Sequence, residues 1–497
     1  MTHNPRVLLL PTIVAATLSG CTVGPDFKLP ESPTISRYTV SGELPPGNLK
    51  AGEAPSIQTV ALGEKVTAEW WTLFRSAEID RLVKEAIARS PTLESATARL
   101  TAAQEMVAAA SGALYPQIDI GASATREKIN ASSFGLSPSA VSLPPNFNAY
   151  QVGPTASYAL DIFGGTRRQI EQTAALADLR RYQLDAAYQT LTGNIVTQAV
   201  QLAAARGKLQ AIHDILDIDR ENLELVRTER DAGTVPDTDL VSAESQLATD
   251  ETLSPGVEQQ WDTAGHALAV LLGRPPGEWS PPDIELSALT LPGRLPVSLP
   301  SELVHQRPDI LAAEAQLHIA CAQIGVATAQ LYPSISLSGN VGAAALDPAH
   351  LFTPAGLVWN IAAGLSAPVF DGGTREAERR VALASFRASA ADYQQTVLQA
   401  FGQVADILKA LSHDEQLLAA QHHALDIASE SVRLQRAKYS GGGSGVIELL
   451  DAQRQYQQSR LGLVQVEAQR YQDTIQLLVA MGGGWWANDM TIAGNEP

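Results

Sequence analysis

Residues that could hold a metal ion or carry out catalysis are few in this chain of 497 residues. His318 and Cys321 are three positions apart in a stretch with helical spacing, so they would share one helix face as half of a metal site. The sequence offers no evident second pair of ligands, and it has no Ser-His-Asp pattern, Walker-type loop or zinc signature. We therefore predict a protein that is not an enzyme and has no catalytic residue, metal or cofactor.

Cys21 is the cysteine whose surroundings point to a specific reaction. A basic residue precedes an apolar stretch from Val7 to Leu18, and Ser19-Gly20 separates this stretch from Cys21. This order is typical of a secretory signal peptide and is too short for a membrane-spanning helix. Small residues directly before a cysteine are typical of the bacterial lipobox, in which the thiol is acylated. We predict a signal peptide at 1–20 and lipidation of Cys21, and Thr22 rather than Asp favours export to the outer membrane.

Composition limits the remaining possibilities. Aromatic residues make up only 5% of the chain, and Ala and Gln crowd its helical stretches, which favours thin layers of close-packed helices. The net charge of -18 argues against nucleic acid as a partner. With Cys21 lipidated, Cys321 has no partner for an intramolecular disulfide. We find no stretch after residue 20 with the roughly 18 uncharged apolar residues of a membrane helix, so a membrane crossing would require strands.

The elements that would position any functional residue belong to a duplicated unit. Leu114-Tyr115-Pro116 recurs as Leu331-Tyr332-Pro333, and Gly164-Gly165-Thr166-Arg167 recurs as Gly372-Gly373-Thr374-Arg375. The two Gly-Gly-Thr-Arg motifs are 208 residues apart, and Asp239 and Glu448, which begin another matched pair, are 209 apart. A repeat that keeps its spacing over this length indicates a duplicated structural unit.

Between these motifs, each copy contains two segments with the alternation of β-strands. They run from Gln117 to Thr125, Val152 to Ile162, Ser334 to Val341 and Leu357 to Leu365. One side of each is apolar and the other is small or polar, which is what a lipid-facing sheet around a wet interior requires. Half-buried strands of a soluble sandwich have the same period. Four strands are too few to enclose an open channel, so several chains would have to share one barrel.

Two long stretches without proline predict long helices. Each of them, Thr166 to Arg230 and Thr374 to about Tyr439, would form a helix of about 65 residues, roughly 95 to 100 Å long. Breaks at Gly233 to Pro236 and at Gly441 to Gly445 predict the tips of helical hairpins. The second break is unusually rich in glycine, and we expect it to be the more mobile tip.

The predicted organisation of the chain combines these elements. It comprises a signal peptide (1–20); a lipidated N-terminal segment with equatorial elements (21–90); repeat 1 (91–272: helix, strand hairpin about 115–162, long helix about 165–231, return helix about 237–272); an equatorial linker (273–307); repeat 2 (308–481: helix, strand hairpin about 332–370, long helix about 374–440, return helix about 446–481); and a tail (482–497).

Several motifs together resemble the outer-membrane efflux factor family. They are Cys21-Thr22-Val23-Gly24-Pro25-Asp26-Phe27, Trp70-Trp71-Thr72-Leu73-Phe74, Arg307-Pro308-Asp309-Ile310, Gln323-Ile324-Gly325-Val326-Ala327, Phe370-Asp371-Gly372-Gly373, Glu448-Leu449-Leu450-Asp451-Ala452-Gln453-Arg454 and Gly482-Gly483-Gly484-Trp485. The resemblance covers nearly the whole mature chain and is greatest to the TolC- and OprM-like lipoproteins, in the NodT-like subgroup.

The resemblance implies a mainly α fold with a transmembrane β part. In such a homotrimer, four strands from each chain form a twelve-stranded β-barrel, which a twelve-helix α-barrel continues through the periplasm. The implied function is the exit duct of a tripartite multidrug efflux pump. Its partners would be outer-membrane lipid, a periplasmic adaptor protein and an inner-membrane pump of the RND type.

The resemblance also assigns candidate site residues. At the tips, where the gate and the adaptor contact would lie, they are Arg230, Gly233, Asp239 and Leu240 in repeat 1 and Tyr439, Gly442, Glu448, Leu449 and Asp451 in repeat 2. The strand-helix joints are Gly164-Gly165 and Asp371-Gly372-Gly373, and we expect Asp371 to cap the following helix. Asp239 and Glu448 have a second interpretation, because a carboxylate at the start of a helix interacts favourably with the helix dipole.

Two further functions are compatible with the same sequence. One is an outer-membrane duct for type I protein secretion. The other is a coiled-coil structural lipoprotein without a pore, which would have no use for a lipid-facing band of strands.

Overall fold

The computed structural model describes residues 22–40, 58–128, 146–483 and 485. The signal peptide and Cys21 lie outside the described residues, so lipidation of Cys21 stays a prediction. The chain divides into two compact units. The first comprises Met1–Pro30, Leu100–Arg180 and Ala313–Tyr393, and the second comprises Glu31–Arg99, Arg181–Ala312 and Gln394–Pro497.

Helices dominate the described residues. In chain order they are α1 (Ala77–Arg89), α2 (Pro91–Ser111), α3 (Gly165–Asp231), α4 (Asp237–Glu251), α5 (Leu253–Leu271), α6 (Pro300–Leu303), α7 (Pro308–Ala329), α8 (Thr374–Ser440) and α9 (Val446–Ala480). The helices α3 and α8 are each 67 residues long. No proline interrupts either of them, so every internal N–H can reach a carbonyl four residues earlier.

The strands form two sheets. They are β1 (Thr59–Leu62), β2 (Gln117–Lys128), β3 (Asn146–Leu160), β4 (Arg294–Val297), β5 (Ser334–Ala345) and β6 (Leu357–Ser366). In the first unit, β2, β3, β5 and β6 form an antiparallel sheet in that order, and pairing of β3 with β5 joins the two repeats. In the second unit, β1 and β4 pair in parallel, which gives the predicted linker an element of its own.

The register of the four-stranded sheet separates its side chains by polarity. Residues directly opposite each other in an antiparallel pair share a face. Ile118 is opposite Ala156, Leu337 is opposite Tyr158 and Ala363, and Val341 is opposite Trp359. The large apolar side chains of this face are Ile118, Ile120, Tyr150, Val152, Tyr158, Leu160, Ile335, Leu337, Val341, Leu357, Trp359, Ile361 and Leu365, and at the far end of β2 and β3 the same face carries Arg126, Lys128, Asn146 and Asn148. The other face is mainly polar and carries Gln117, Asp119, Ser123, Thr125, Glu127, Gln151, Thr155, Ser157, Ser334, Ser336, Ser338, Asn340, Asn360 and Ser366, with Phe147 and Val358 as its large apolar residues.

The return helix predicted at about 237–272 is two helices. α4 ends at Glu251 and α5 begins at Leu253, with Thr252 between them. Pro255 lies in the first turn of α5, where its ring would clash with the carbonyl four residues earlier if the helix continued from Glu251. The return helix of repeat 2 has no proline and runs unbroken from Val446 to Ala480. Three strands also differ from their predictions. β3 runs from Asn146 to Leu160 rather than from Val152 to Ile162, and β2 and β5 continue to Lys128 and Ala345, beyond the predicted Thr125 and Val341.

One described helix contradicts the expectation that no later segment is apolar enough to cross a membrane. Pro308–Ala329 has the required length and a mean hydropathy of 1.4, and half of the window is buried in the protein. Its Ala-rich composition explains the value, because alanine counts as apolar although it contributes little surface. A buried core helix passes the same test, so this segment is weak evidence for a membrane-spanning helix.

Candidate functional site

Both helical hairpin tips end their long helix in the same way. Gly233, with φ of 75°, follows α3, and Gly442, with φ of 71°, follows α8. In the first tip, the N–H of Thr234 donates to the carbonyl of Glu229 at 3.0 Å. In the second, the N–H of Gly443 donates to the carbonyl of Lys438 at 2.9 Å. These bonds close a helix C-cap that needs a left-handed residue, which explains one glycine in each tip.

A hydrophobic cluster joins the two tips. Val226 of α3, Ala243 of α4, and Val446 and Leu450 of α9 are buried in it. The predicted tip residues Leu240 and Tyr439 pack against this cluster from opposite hairpins. Leu449 is also buried, with 2% of its surface exposed. Of the nine predicted tip residues, Leu240 and Tyr439 are therefore packing residues of the cluster that joins the hairpins, and Leu449 is buried beside Leu450 in the sequence.

A tyrosine-carboxylate contact links the hairpins at the edge of this cluster. The hydroxyl of Tyr439 donates a hydrogen bond to Oε2 of Glu229. Burial raises the pKa of Tyr439, and the bond to Glu229 and the negative charges of Glu229 and Asp239 raise it further. Arg230, the predicted tip residue next to Glu229, does not take part in this contact, since its Nε lies 3.3 Å from Asp231 and 4.0 Å from Asp237 within its own tip.

The other predicted tip residues face solvent or begin helices. Asp239 lies in the first turn of α4 and Glu448 in the first turn of α9, as their second interpretation requires. Gly233, Gly442 and Glu448 are exposed. Asp451 is also exposed, and its Oδ1 accepts a hydrogen bond from Nη2 of Arg454 at 2.6 Å. The end of the paired hairpins therefore presents acidic and glycine residues to solvent.

A layer of buried polar contacts follows the hydrophobic cluster along α3. Asn222 Nδ2 donates to Gln453 Oε1 at 2.7 Å, and Gln457 Nε2 donates to Asp219 Oδ1 at 3.3 Å. Asp219 lies against Asp250 of α4, and its burial and this second carboxyl group raise its pKa to about 7. Sequence reasoning missed this layer, because nothing in the sequence aligns α3 with α9.

A second buried carboxyl pair connects the helices of repeat 2. Asp414 of α8 lies against Asp473 of α9, and its pKa is raised to about 7 by burial and by Asp473, while the charge of Arg470 lowers it. The side chain of Arg470 is itself buried, and its Nε donates to Gln58 Oε1 at 3.0 Å. Both hairpins thus hold a carboxyl group that keeps a proton near neutral pH.

The strand-helix joints carry the expected caps, with one displaced. Asp371 accepts bonds from the N–H groups of Gly373 at 2.9 Å and Arg375 at 3.1 Å, which confirms the predicted cap. These bonds lower the pKa of Asp371. In the first joint, Asp161 caps α3 by accepting from the N–H of Thr166 at 2.9 Å. Asp161 was missed because it lies before Phe163-Gly164-Gly165 rather than beside the glycines.

Three of the four joint glycines have a left-handed backbone. Gly164, Gly372 and Gly373 have φ values of 78°, 66° and 86°, whereas Gly165 does not have positive φ and is the first residue of α3. A Cβ on Gly165 would lie 3.1 Å from Cβ of Ala329, so the space beside α7 limits this position.

His318 and Cys321, for which the sequence offers no second pair of metal ligands, contact other groups. His318 Nε2 lies 3.0 Å from Glu171 Oε1, and Cys321 Sγ lies 3.7 Å from the carbonyl oxygen of Pro25. Within the described ranges, no group of three or more His, Cys, Asp or Glu side chains is placed to hold a metal ion.

Strands with one apolar and one polar face, continued by long helices that end in paired tips, define a channel-forming protein of a bacterial outer membrane. A model of the outer membrane efflux protein family matches residues 82–274 and 299–483. The chain belongs to the outer membrane efflux protein family, and its location is the outer membrane.

Relatives and solved structures agree with this assignment over most of the chain. The pyoverdine export outer membrane protein OpmQ of Pseudomonas aeruginosa is 30% identical over 86% of this chain and 89% of its own length. The cation efflux system protein CusC of Escherichia coli is 27% identical over 96% of this chain and 99% of its own. The structure of the outer-membrane channel OprN matches with a TM-score of 0.82 at 28% identity, over 94% of this chain and all of that one.

Proposed function

We propose that three copies of this chain form the exit duct of a tripartite efflux pump. The observation that carries the proposal is the four-stranded sheet with an apolar face and two open edges. Ile120, Trp359 and Ile361 on that face are 81%, 72% and 80% exposed in the single chain. At roughly 1.5 to 3 kcal/mol for each large apolar side chain, such exposure to water is costly, and lipid against this face removes the cost.

The open edges explain why more than one copy is needed. In the described sheet, β2 and β6 each have a partner on one side only. Unpaired N–H and C=O groups cannot be tolerated in hydrocarbon, so each edge must pair with another strand. Pairing β6 of one copy with β2 of the next extends the same alternation of faces. Three copies give twelve strands with a polar interior, whereas four strands cannot surround an open channel.

The hairpin tips support a role in gating and in contact with an adaptor protein. The contact between Tyr439 and Glu229 and the hydrophobic cluster hold two hairpins of one chain together. Gly233, Gly442, Glu448 and Asp451 remain exposed at the same end. A periplasmic adaptor that binds this end would shift the equilibrium between paired and separated hairpins. An inner-membrane pump, most simply one of the RND type, would supply the driving force for transport.

We propose a class of cargo for the duct rather than a particular molecule. The two relatives are named for export of pyoverdine and of cations, which are chemically unlike cargoes. We propose that this chain conducts small molecules, including drugs, passively, and that the inner-membrane partner selects them. The net charge of the chain is -18, and acidic side chains that line the channel would favour cations over anions as cargo.

The test combines assembly and conductance. Crosslinking of membrane extracts should yield a trimer, and the purified oligomer should conduct in a lipid bilayer. A monomer without conductance would refute the duct and favour the structural lipoprotein. A deletion strain should become sensitive to compounds in a drug panel. Loss of one secreted protein without any change in drug sensitivity would instead support type I secretion.

A further inference from the structure

Residues 22–27 form an N-terminal strap that is bound to the first unit. The N–H of Val23 donates to the carbonyl of Phe163 at 3.0 Å, beside the first strand-helix joint. Arg168 contacts the strap from α3, with Nη2 donating to Asp26 Oδ1 at 2.7 Å and Nε to the carbonyl of Val23 at 3.3 Å. Arg168 is 5% exposed, whereas the side chain of Asp26 is 84% exposed, so the guanidinium is held in the protein and pairs with a carboxylate at the surface.

The surface under the strap is shaped by missing side chains. A Cβ on Gly24, which has φ of 93°, would lie 2.5 Å from Cα of Gly325 on α7. A Cβ on Gly164 would lie 2.6 Å from Cγ2 of Thr22, and one on Gly325 would lie 2.6 Å from Cγ of Arg168. Any larger residue at these three glycines would push the strap off its surface or displace Arg168.

An aromatic contact holds the far end of the strap. The ring of Phe27 stacks on His318 with the ring centroids 4.3 Å apart and the planes 12° from parallel. His318 is in turn oriented by Glu171, which also accepts a bond from Arg168 Nη1 at 2.7 Å. The buried thiol of Cys321 lies beneath Pro25. Glu171 therefore contacts both Arg168 and His318, the two side chains that bind the strap.

The duplicated sequence provides a comparison within the same molecule. The offset that relates Gly164 to Gly372 also relates Arg168 to Glu376, so the second joint has the opposite charge there. A Cβ on Gly372 would meet nothing within 4 Å.

The helices before the strands differ in the same sense. The offset between Tyr115 and Tyr332 places Ala108 opposite Gly325 and Thr101 opposite His318. Packing that only served the shared architecture would recur in both halves. The residues that contact the strap occur in the first repeat's joint and in α7, and their counterparts in the other repeat are different residues. This asymmetry indicates that these residues serve the strap rather than the shared architecture.

We propose that Arg168, Gly325 and His318 form a binding site for the chain's own strap, and that strap binding fixes the membrane anchor at the strand-helix joint. The proposal rests on the predicted lipidation of Cys21, the residue before Thr22, and on the proposed insertion of the sheet into the membrane. The joint follows directly after the last residues of the apolar face, so an anchor held there enters the membrane where the strands do. Binding of the strap would thereby orient the sheet for insertion.

Cys321 provides the test, because the strap covers it. In full-length protein extracted from membranes, the alkylation rate of Cys321 with a maleimide reports whether the strap is bound. Arg168→Gln should raise that rate at least tenfold and lower the yield of membrane-inserted oligomer several-fold. Arg379→Gln is the matched control, since Arg379 pairs with Glu376 at 2.7 Å at the start of the other long helix. It should change neither quantity.

A variant in the strap separates binding from folding. Gly24→Val leaves α3 and α7 unaltered and should reproduce both effects of Arg168→Gln. Unchanged alkylation in both variants, or equal effects in Arg379→Gln, would overturn the proposal. Metabolic labelling with palmitate and bilayer conductance of the unmodified protein report on the proposed function separately. Absence of label or conductance there would refute the anchor or the duct, while the alkylation rates would still decide whether the binding site exists.

Discussion

The contact between Tyr439 and Glu229 would resist the separation of the hairpins that the proposed gate requires. The two residues belong to the long helices of different repeats, and their hydrogen bond lies beside the hydrophobic cluster of the tips. Separation of the hairpins must break this bond and expose part of the cluster. In the proposed gate, the contact would therefore favour the closed arrangement by about 1 kcal/mol, the net contribution of one hydrogen bond.

Tyr439→Phe tests this role by removing only the hydroxyl. The carboxylate of Glu229 then loses a donor in a half-buried position, which should cost about 1 kcal/mol of the closed arrangement. We expect a several-fold rise in the open fraction of single channels in a lipid bilayer. Tyr456→Phe, about three turns into α9, is the control and should leave gating unchanged. Equal behaviour of the two variants would argue against gating at this contact.

Substitutions in the glycine run of the second tip test which of its glycines is needed for the backbone conformation. Among Gly441, Gly442, Gly443 and Gly445, only Gly442 has a left-handed backbone. Gly442→Ala should destabilise the tip by about 1 kcal/mol, whereas Gly443→Ala should be neutral or slightly stabilising. Hydrogen exchange of amides 438–446 would measure the difference. Faster exchange in both variants would show that the run needs glycine throughout, as a mobile tip requires.

The elements were predictable to the extent that their ends are marked in the sequence. The long helices begin at or directly after Gly-Gly motifs and end before glycines, so their bounds lay within a residue or two of the prediction. The break at Thr252 was missed because the pattern from Asp237 to Leu272 was taken as one helix, although Pro255 marks the start of a second one. Asp161 was missed because the first cap lies two residues further from its glycines than the second cap does.

Contacts between elements could not be predicted in the same way. Asp219 with Asp250, and Glu229 with Tyr439, join helices that are far apart in sequence or separated by a turn. Which residues meet depends on how far one helix is shifted along another, and small residues such as alanine allow several shifts. The sheet was easier, because a register shift by one residue would have exchanged its two faces.

The buried carboxyl pairs make the helical hairpins sensitive to pH. The pKa of Asp219 is raised to about 7 in the folded protein, against a value near 4 in the unfolded chain. Between these pH values only the folded state keeps the proton, so the free energy of unfolding falls as pH rises and levels off above about pH 7. The pair of Asp414 and Asp473 acts in the same direction.

Asp219→Asn removes this titration while keeping the shape of the side chain. The fall in thermal midpoint of the extracted oligomer between pH 5 and pH 8 should be smaller in this variant than in the unmodified protein. Asp217→Asn is the control, because Asp217 lies on the same helix with its side chain 73% exposed. If both variants retain the full pH dependence, the pair of Asp219 and Asp250 does not contribute to it.

At the scale of the whole molecule, duplication and assembly both serve to pair the edges of strands that would otherwise be open. Each repeat supplies two strands and one long helical hairpin, and pairing of β3 with β5 combines them into one sheet. The sheet still has open edges, so the duplicated chain alone does not complete the structure. The repeats differ at the proposed strap site, since each chain has one strap to bind. Arg168 lies at this site in the first repeat, and Glu376 takes its place in the second.

The orientation of the sheet faces can be tested with two adjacent residues. Ile361 lies on the apolar face and Asn360 on the polar face of β6. An arginine in contact with lipid near the membrane midplane costs about 2 to 4 kcal/mol, whereas one in a water-filled interior costs little. Ile361→Arg should therefore reduce the yield of heat-resistant oligomer in the outer membrane by tenfold or more. Asn360→Arg should preserve that yield and alter the conductance and ion selectivity of the channel. The reverse pattern would mean that the polar face meets the lipid, and equal yields would mean that neither face does.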